Sequence, residues 1–347
     1  MQICEGQTCD LVWRKAARTF RHPSHCRTRS GRGGRVKELL HAVFVIHNPR
    51  ERWVVSRCPA INPAFAIAEV VWILRGREDS RFLEYWNPAL PRFAGNGRKY
   101  YGAYGRRLRS HFGIDQLERA YFALKRNPSG RQVVLQIWDP KIDFPRTNGR
   151  PRAVTIPCNV CALLKVREGS LHWTQILRSN DLFRGVPYNF VQFTMLQEVL
   201  AGWLNVKLGD YTHLSDSLHV YKSDQRHIRE SIGTRPERNV DVLSLPKRIS
   251  ERAFAELERR MLKLMAPGLT VEGIQRIVLP AGLPRGFVNL LLVVAADAAR
   301  RRGWAKVAQR IMQKCSNPVL KQLWARWFLR RRRPSNETLP VANVSPR

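Results

Sequence analysis

Residues 154–179 read VTIPCNVCALLKVREGSLHWTQILRS, and this stretch decides the fold class. Two runs rich in β-branched and apolar residues, 154–166 and 171–179, lie on either side of Glu168-Gly169-Ser170. Such runs, joined by a short turn that contains glycine, predict a β-hairpin. Because Pro157 lacks the N–H that a sheet ladder needs, we expect Cys158 at a strand irregularity, with its thiol facing a cavity.

The hairpin also contains the pair Cys158 and Cys161, which has the CxxC spacing of some metal sites. No second pair of ligands accompanies it, and strand residues three apart point to opposite faces, so we predict no metal site. A lone interior cysteine usually acts as a small apolar residue. Cys158 therefore needs further support before it can be assigned as a nucleophile.

Upstream of the hairpin, the sequence predicts a helix between Asn62 and Gly76. Asn62 can cap its N-terminus, Pro63 fits its first turn, and Gly76 can adopt the positive φ of a C-terminal cap. At helical spacing Glu69 shares a stripe with apolar residues such as Trp72, which places a carboxyl group on a buried face. A buried carboxyl either pairs with a partner in the core or has a raised pKa and can carry protons.

Composition limits the class of protein. The chain has 347 residues, 44% of them hydrophobic, with a formal net charge of +33. This composition excludes disorder for most of the chain, and the basic excess favours anionic partners such as nucleotides or nucleic acid.

Seven cysteines, an odd number, argue against a disulfide scaffold and for a reducing cytoplasm. The longest apolar stretch, 287–299, is too short to span a bilayer, so we expect no membrane partner.

The pattern of hydrophobic and polar residues divides the chain into four parts. Residues 1–30 are predicted as an N-terminal extension and 31–224 as an α+β catalytic domain with a mixed sheet packed by helices. Residues 225–330 are predicted as a helical C-terminal region, with helices over 250–264, 290–301 and 318–330. The stripe of apolar residues in 318–330 is expected to be core, and 331–347 a disordered basic tail.

A series of motifs around the hairpin resembles the thymidylate synthase family, which includes pyrimidine nucleotide hydroxymethylases. In chain order these motifs are Glu69-Val-Val-Trp72-Ile-Leu-Arg-Gly76, Tyr104-Gly105, Asp115-Gln116, Asn127-Pro128-Ser-Gly-Arg131, Trp138, Pro157-Cys158, Arg178-Ser179-Asn180-Asp181, Gly185-Val-Pro187-Tyr-Asn189, Gly209-Asp210 and His219-Val-Tyr221. The similarity covers roughly residues 32–223. It implies the three-layer fold of that family and a homodimer, whereas the predicted C-terminal helices have no counterpart in the common enzymes of the family.

The resemblance also implies roles for individual residues. The catalytic set would be the nucleophile Cys158, the proton-relaying Glu69, Tyr104 in the pocket, and Arg178 near the thiol. Asn189 would read the base, because its amide offers one donor and one acceptor to the uracil edge. The other substrate-binding residues implied by the family are Arg32, Arg131, Ser179, Asp181, His219 and Tyr221, of which Arg131 would act across the dimer interface.

The activity implied is transfer of a one-carbon unit from 5,10-methylenetetrahydrofolate to C5 of a uracil nucleotide monophosphate, converting dUMP to dTMP. A pyrimidine nucleotide 5-hydroxymethylase is the first alternative. The second is a catalytically weak family member that binds RNA or DNA through its basic C-terminal helices. Asn159 stands where the family usually has His. The segment 85–88 fits the family poorly, so the resemblance does not identify the residues that line the folate-binding side of the pocket.

Overall fold

The structure is a computed structural model, and it describes residues 1–22, 26–31, 34–153, 155–231 and 233–332. The strands are β1 Gln2–Gly6, β2 Arg27–Gly31, β3 Gly34–Ile46, β4 Val134–Gln136, β5 Asn159–Arg167, β6 Ser170–Asp181 and β7 Lys207–Tyr221. The helices are α1 Cys9–Thr19, α2 Pro63–Leu74, α3 Ser80–Trp86, α4 Pro91–Ala94, α5 Tyr104–Arg106, α6 Gln116–Arg126, α7 Pro140–Asp143, α8 Val186–Leu204, α9 Gln225–Glu230, α10 Lys247–Leu264, α11 Val271–Ile277, α12 Arg285–Arg301, α13 Ala305–Gln313 and α14 Pro318–Arg332.

Within the described residues, the seven strands form one mixed sheet in the order β1-β3-β7-β6-β5-β4, with β2 also paired to β3. The strand pairs β1–β3 and β6–β7 are parallel, and the remaining pairs are antiparallel. The predicted hairpin is confirmed as β5 and β6, and its turn places Glu168 and Gly169 at positive φ. The α+β class with a mixed sheet and C-terminal helices is likewise confirmed.

The N-terminal residues contribute to the sheet and the core. Strand β1 pairs in parallel with the end of β3, from Gln2 opposite Ala42 to Gly6 opposite Ile46. Helix α1 buries Cys9 and Trp13 completely, and the Trp13 indole N–H donates to the Leu182 carbonyl at 2.7 Å. The segment predicted as an extension is thus part of the sheet and of the core.

Helices stack on the sheet in successive layers. Helix α8 packs on β6 and β7, α2 packs on α8, and α12 packs on α2. Both α2 and α8 are buried along almost their whole length, as expected for helices that are covered on all sides. The cap predicted for α2 is present, since Asn62 Oδ1 accepts the Phe65 N–H at 3.1 Å, and Gly76 has φ +67°.

The three predicted C-terminal helices are confirmed as α10, α12 and α14. The apolar stripe of α14 is core, with Leu320, Leu323, Trp324, Trp327 and Phe328 all buried. Helix α14 extends to Arg332, and the rest of the predicted tail, 333–347, lies outside the described residues. No helix in the described part of the chain is long and apolar enough to cross a membrane.

Candidate active site

Cys158 lies directly before β5, at a break in the sheet. The pairing of β5 with β6 shifts register between Asn159 and Cys161, which is the irregularity expected next to Pro157. The Cys158 carbonyl accepts the backbone N–H of Arg178 at 2.9 Å, while the residue itself remains partly exposed. The thiol therefore sits on a fixed backbone with access to the space beside the sheet.

Arg178 braces the loop that precedes the thiol. From β6 its Nε donates to the Pro157 carbonyl at 2.9 Å and its Nη2 to the Ile156 carbonyl at 3.1 Å. The side chain stays exposed although it makes both bonds. A guanidinium held here can attract an anion towards Cys158 while it fixes the loop.

Glu69 is the one residue of α2 that is not fully buried. Its Oε2 is itself buried and forms no hydrogen bond with the residues described. Burial raises the pKa of the Glu69 carboxyl to about 8, and a hydrogen bond from the side chain of Gln192 partly offsets that rise. A carboxyl that changes protonation near neutral pH is suited to proton transfer.

Tyr104 links the catalytic candidates electrostatically. Burial raises the pKa of its phenol, and the nearby Cys158 and Glu69 raise it further, while the side chain of Asn159 and the charge of Arg178 lower it. Its ring lies 6.2 Å from that of Phe193 on α8. The other three predicted catalytic residues, Cys158, Glu69 and Arg178, thus all lie close enough to Tyr104 to influence its charge.

Asn189 lies in the first turn of α8, where it is buried. Its Nδ2 donates to Gln192 Oε1 at 3.1 Å. Gln192, which is 3% exposed, also contacts the Glu69 carboxyl, so it joins the base-reading candidate to the proton carrier. The sequence analysis missed Gln192, although its spacing of three residues from Asn189 places both on one face of α8.

Asn159, which stands where the family usually has His, is fully buried beside Cys158. Its Oδ1 accepts from Gln175 Nε2 at 3.1 Å, while its buried Nδ2 has no hydrogen-bond partner among the described residues. The neutral amide of Asn159 thus holds Gln175 on the neighbouring strand, next to the residue that carries the thiol.

His219 and Tyr221 lie two residues apart on β7, so they project from the same face of the sheet. Their rings are 5.5 Å apart and nearly perpendicular. Asp181 pairs with His219 across β6 and β7, and Ser179 pairs with Ser217 on the same strands. These candidates therefore form a row beside the thiol-bearing end of the hairpin.

Asp181 also has a structural task. Its Oδ1 accepts the backbone N–H groups of Phe183 and Arg184, each at 2.8 Å, which fixes the turn into α8. Burial raises the pKa of its carboxyl, and Oδ2 is buried without a hydrogen bond among the described residues.

Of the predicted phosphate ligands, Arg131 is not brought into this cluster. Arg131 is exposed, and no hydrogen bond or ion pair of the described residues joins it to the others. Arg32 lies outside the described residues. Tyr85 and Trp86, from the segment that fits the family poorly, are held by the C-terminal region: Arg302 donates to the Tyr85 hydroxyl at 2.7 Å, and Arg301 donates to the Trp86 carbonyl.

This arrangement, in which a cysteine at a sheet irregularity and a buried carboxyl lie near the same tyrosine, agrees with the comparison of the sequence with known families. Residues 52–265 match the thymidylate synthase family. The chain belongs to this family.

Individual relatives have two kinds of name. The chain is 36% identical over 204 residues to a deoxyuridylate hydroxymethyltransferase of Bacillus phage SP01, covering 56% of this chain and 52% of that protein. It is 33% identical over 197 residues to one of Pseudomonas phage M6, covering 56% and 55%. A putative thymidylate synthase of Methanothermobacter marburgensis is 30% identical over 206 residues, covering 59% and 86%. The chain spans about half the length of the two phage relatives.

Proposed function

We propose that this protein transfers a one-carbon unit from 5,10-methylenetetrahydrofolate to C5 of dUMP through a covalent adduct of Cys158 with C6. One observation carries the proposal: Tyr104 lies within electrostatic reach of Cys158, Glu69 and Arg178 together. A nucleophile, a proton carrier and an anion-attracting cation are the groups that this chemistry requires. Membership of the family supports the assignment.

In the first step the Cys158 thiolate bonds to C6, and the electron pair of the C5–C6 double bond makes C5 nucleophilic. The folate supplies the carbon that C5 takes up. C5 then loses its proton, and the bond between the transferred carbon and the folate nitrogen breaks. Hydride from the tetrahydrofolate, or water, adds to that carbon, and departure of the thiolate restores the double bond. Arg178 binds the phosphate near the thiol, with Ser179, Arg32 and the partner subunit's equivalent of Arg131 as further ligands, while His219 and Tyr221 hold the ribose.

Glu69 is suited to transfer protons during a reaction that uses a reduced folate. Its buried Oε2, which bonds to nothing among the described residues, leaves a polar atom for a water or a leaving nitrogen. Glu69 passes protons to and from the pyrimidine carbonyl, and Asn189 pairs with N3–H and O4 of the base.

Release of tritium from C5-tritiated dUMP in the presence of the folate tests the proposal. Folate-dependent release is expected, because C5 loses its proton after the one-carbon unit has been attached. No release from dUMP or from any other pyrimidine nucleotide contradicts the assignment.

The alternative product is 5-hydroxymethyl-dUMP, formed when water instead of hydride captures the exocyclic methylene. The higher identity to the two phage hydroxymethyltransferases favours this second candidate. Methyl transfer generates dihydrofolate, whereas hydroxymethyl transfer returns tetrahydrofolate. Product mass, measured together with the absorbance of dihydrofolate, distinguishes the two.

A contact with RNA or DNA is a separate candidate function, supported by one surface of α13. Lys306 and Arg310 on α13 and Lys314, which caps its C-terminus, are exposed at intervals of four residues, which places them on one face. Lys321 on α14 is also exposed. Cations so arranged can neutralise successive phosphates. Binding of a fluorescent duplex at several salt concentrations, before and after Lys306, Arg310 and Lys314 are changed to Gln, tests this contact. A salt dependence that the substitutions leave unchanged contradicts it.

The assembly, location and domain boundaries complete the proposal. A cytoplasmic homodimer follows from the family resemblance and the cysteine content, and sedimentation at low protein concentration tests the dimer. Division into 1–30, 31–224, 225–330 and 331–347 stays a prediction, which limited proteolysis tests.

A further inference from the structure

The last turn of α12 is bonded to the C-terminal end of α3. Asp297, which interrupts the apolar stretch 287–299, is fully buried. Its two carboxylate oxygens accept from Arg300 Nε at 2.7 Å and from Arg301 Nε at 2.8 Å. Arg301 also donates from Nη2 to the backbone carbonyl of Trp86, the last residue of α3. One of the two arginines therefore joins a C-terminal helix to the segment beside the site.

The Trp86 carbonyl is shared with the N-terminus of α2. Asn62 Nδ2 donates to the same oxygen at 2.8 Å. Since a carbonyl oxygen has two lone pairs, Arg301 and Asn62 together use its full capacity. Trp86 is fully buried and Asn62 is 4% exposed, so water does not compete for these bonds. The two donors therefore fix the end of α3 against the start of α2.

Asn62 extends this chain of bonds to α8. Its Oδ1 caps α2 by accepting the Phe65 N–H at 3.1 Å, and its own N–H donates to the Tyr188 hydroxyl at 3.0 Å. The Tyr188 ring also lies 5.2 Å from the Phe65 ring, edge to face at 72°. Tyr188 is thus held by α2 at two points, its hydroxyl and its ring.

Tyr188 lies where a one-carbon donor has to approach the base. It directly precedes Asn189 on α8, and its contact Phe65 stands one turn before Glu69 on α2. The predicted phosphate ligand Arg178 and the predicted ribose ligands lie instead on β6 and β7. The chain of bonds that begins on α12 therefore ends between the base reader and the proton carrier, which is the place that the reduced folate must reach.

We propose that Arg301 is a positioning residue through which α12 sets the affinity of the site for the reduced folate. It holds the Trp86 carbonyl and with it Asn62, whose N–H holds the Tyr188 hydroxyl. The inference rests on the proposed function, because that function supplies the folate. It gives a part in the reaction to a helix that follows the residues matching the family.

Two matched substitutions separate this role from the ion pair with Asp297. Arg301→Lys keeps a cation beside Asp297, but its single ammonium group cannot also replace Nη2 at the Trp86 carbonyl. Arg300→Lys is the control, because Arg300 lies in the same turn, is equally exposed at 16% and pairs with the other oxygen of Asp297. The two variants thus make the same chemical change and differ in the bond to Trp86.

Titration calorimetry with tetrahydrofolate in the presence of dUMP measures the affinity, and dUMP alone is the reference ligand. We expect Arg301→Lys to weaken tetrahydrofolate binding by about tenfold, the lower end of what a lost hydrogen bond from a charged donor is worth. The KM for the folate should rise by the same factor, while kcat and the affinity for dUMP stay close to wild type. Arg300→Lys should match wild type in all of these quantities.

Asn62→Ser breaks the same chain of bonds at its next position. Serine caps a helix as well as asparagine does, so α2 keeps its cap, but the side chain is too short to reach the Trp86 carbonyl. This variant should weaken tetrahydrofolate binding as Arg301→Lys does. Normal folate affinity in Asn62→Ser contradicts the inference.

Tyr188→Phe tests whether Arg301 acts through Tyr188. Phenylalanine keeps the ring against Phe65 but offers the Asn62 N–H no acceptor. If the bonds act in series, Arg301→Lys should weaken folate binding much less in Tyr188→Phe than in wild type. Hydrogen exchange without ligand provides a second readout: the Asn62 amide should exchange faster in Arg301→Lys but not in Arg300→Lys.

Equal folate affinities and equal Asn62 exchange in Arg301→Lys and Arg300→Lys overturn the inference. Additive losses in the double variant do so as well, as does an equal loss of dUMP binding in Arg301→Lys. A wild-type protein that binds both ligands but releases no tritium contradicts the catalytic proposal, while the folate affinities of the variants still test the inference. A wild-type protein that binds no tetrahydrofolate overturns both.

Discussion

Two helices that pack against each other each hold a carboxyl group in the interior, Glu69 on α2 and Glu198 on α8, and their surroundings differ. Glu198 is fully buried, and it accepts from Arg50 Nε at 2.9 Å, from Arg52 Nη2, and from the Leu243 N–H at 3.0 Å. Glu69 has no cation as a hydrogen-bond partner in the described structure, and one of its oxygens has no hydrogen bond.

The difference sets the two pKa values in opposite directions. Burial favours the neutral form of Glu198, but the charges of Arg52 and Arg50 outweigh it and hold the pKa of that carboxyl below its usual value. At Glu69 burial is opposed only by the amide of Gln192, and the pKa is raised to about 8. A buried carboxyl that is paired with arginines stays ionised and contributes to the fold. A buried carboxyl with an oxygen that accepts no hydrogen bond can gain and lose a proton near neutral pH.

The largest expected effect is the loss of turnover on replacing Cys158, whose thiol lies near the same tyrosine as Glu69. We expect Cys158→Ala to abolish turnover, since C5 becomes nucleophilic only after addition at C6. Tritium release from C5-tritiated dUMP measures it. Cys161→Ala is the control, because Cys161 is also a partly exposed cysteine on this hairpin and should be dispensable. Release by Cys158→Ala above background would remove the nucleophile from this position.

The next effect is on Glu69 itself. Glu69→Gln should lower kcat by roughly 10²- to 10⁴-fold, the usual contribution of a general acid or base. Its free energy of unfolding should not fall substantially, because the substitution removes a carboxyl that forms no ion pair. Steady-state kinetics and urea unfolding on the same preparation measure the two quantities. A variant that is destabilised but fully active per folded molecule would give Glu69 the role assigned to Glu198.

Glu198 provides the converse test. Glu198→Gln should lower the free energy of unfolding by about 3–5 kcal/mol, because it leaves the buried charge of Arg52 without its partner. Arg52 is 1% exposed and cannot turn to solvent. Activity per folded molecule should remain close to wild type. If kcat falls while stability is unchanged, the distinction between the two carboxyl groups is wrong.

Local signals made part of this fold predictable from sequence. The β5–β6 hairpin follows from Gly169 in its turn, and the start of α2 follows from Asn62 and Pro63, each within a few residues of the feature it specifies. The parallel pairing of β1 with β3 was not predicted, because it joins segments about 40 residues apart with no turn between them.

The site was predictable to a similar extent. Motif order led to Cys158, Glu69 and Asn189, and the structure brings them to one region. Gln192 was missed because its importance depends on the packing of α2 against α8, which no spacing within α8 reveals. Likewise, the attachment of Tyr85 and Trp86 to Arg302 and Arg301 depends on helices that the resemblance does not cover.

The smallest expected effect concerns how stability depends on pH, and here the two carboxyl groups should act with opposite sign. The native pKa of Glu69, about 8, lies above the value of roughly 4.3 for an unfolded Glu, so between these values the native state binds more protons than the unfolded state. Its contribution to the free energy of unfolding therefore falls as pH rises through this window and levels off above about pH 8. Glu198 has a lowered native pKa, so its contribution is complete above the unfolded value and is lost as pH falls through the native one.

Differences between wild type and variant isolate each group, because other titrating residues such as the buried His213 are common to both proteins. Relative to Glu69→Gln, wild type should lose stability as pH rises from about 5 to about 8. Relative to Glu198→Gln, the advantage of wild type should stay constant over that range and shrink only below roughly pH 4. Urea unfolding at a series of pH values measures both differences. Two difference curves of the same slope would show that the carboxyl groups sit in equivalent surroundings, and the contrast in hydrogen bonding would then have no energetic consequence.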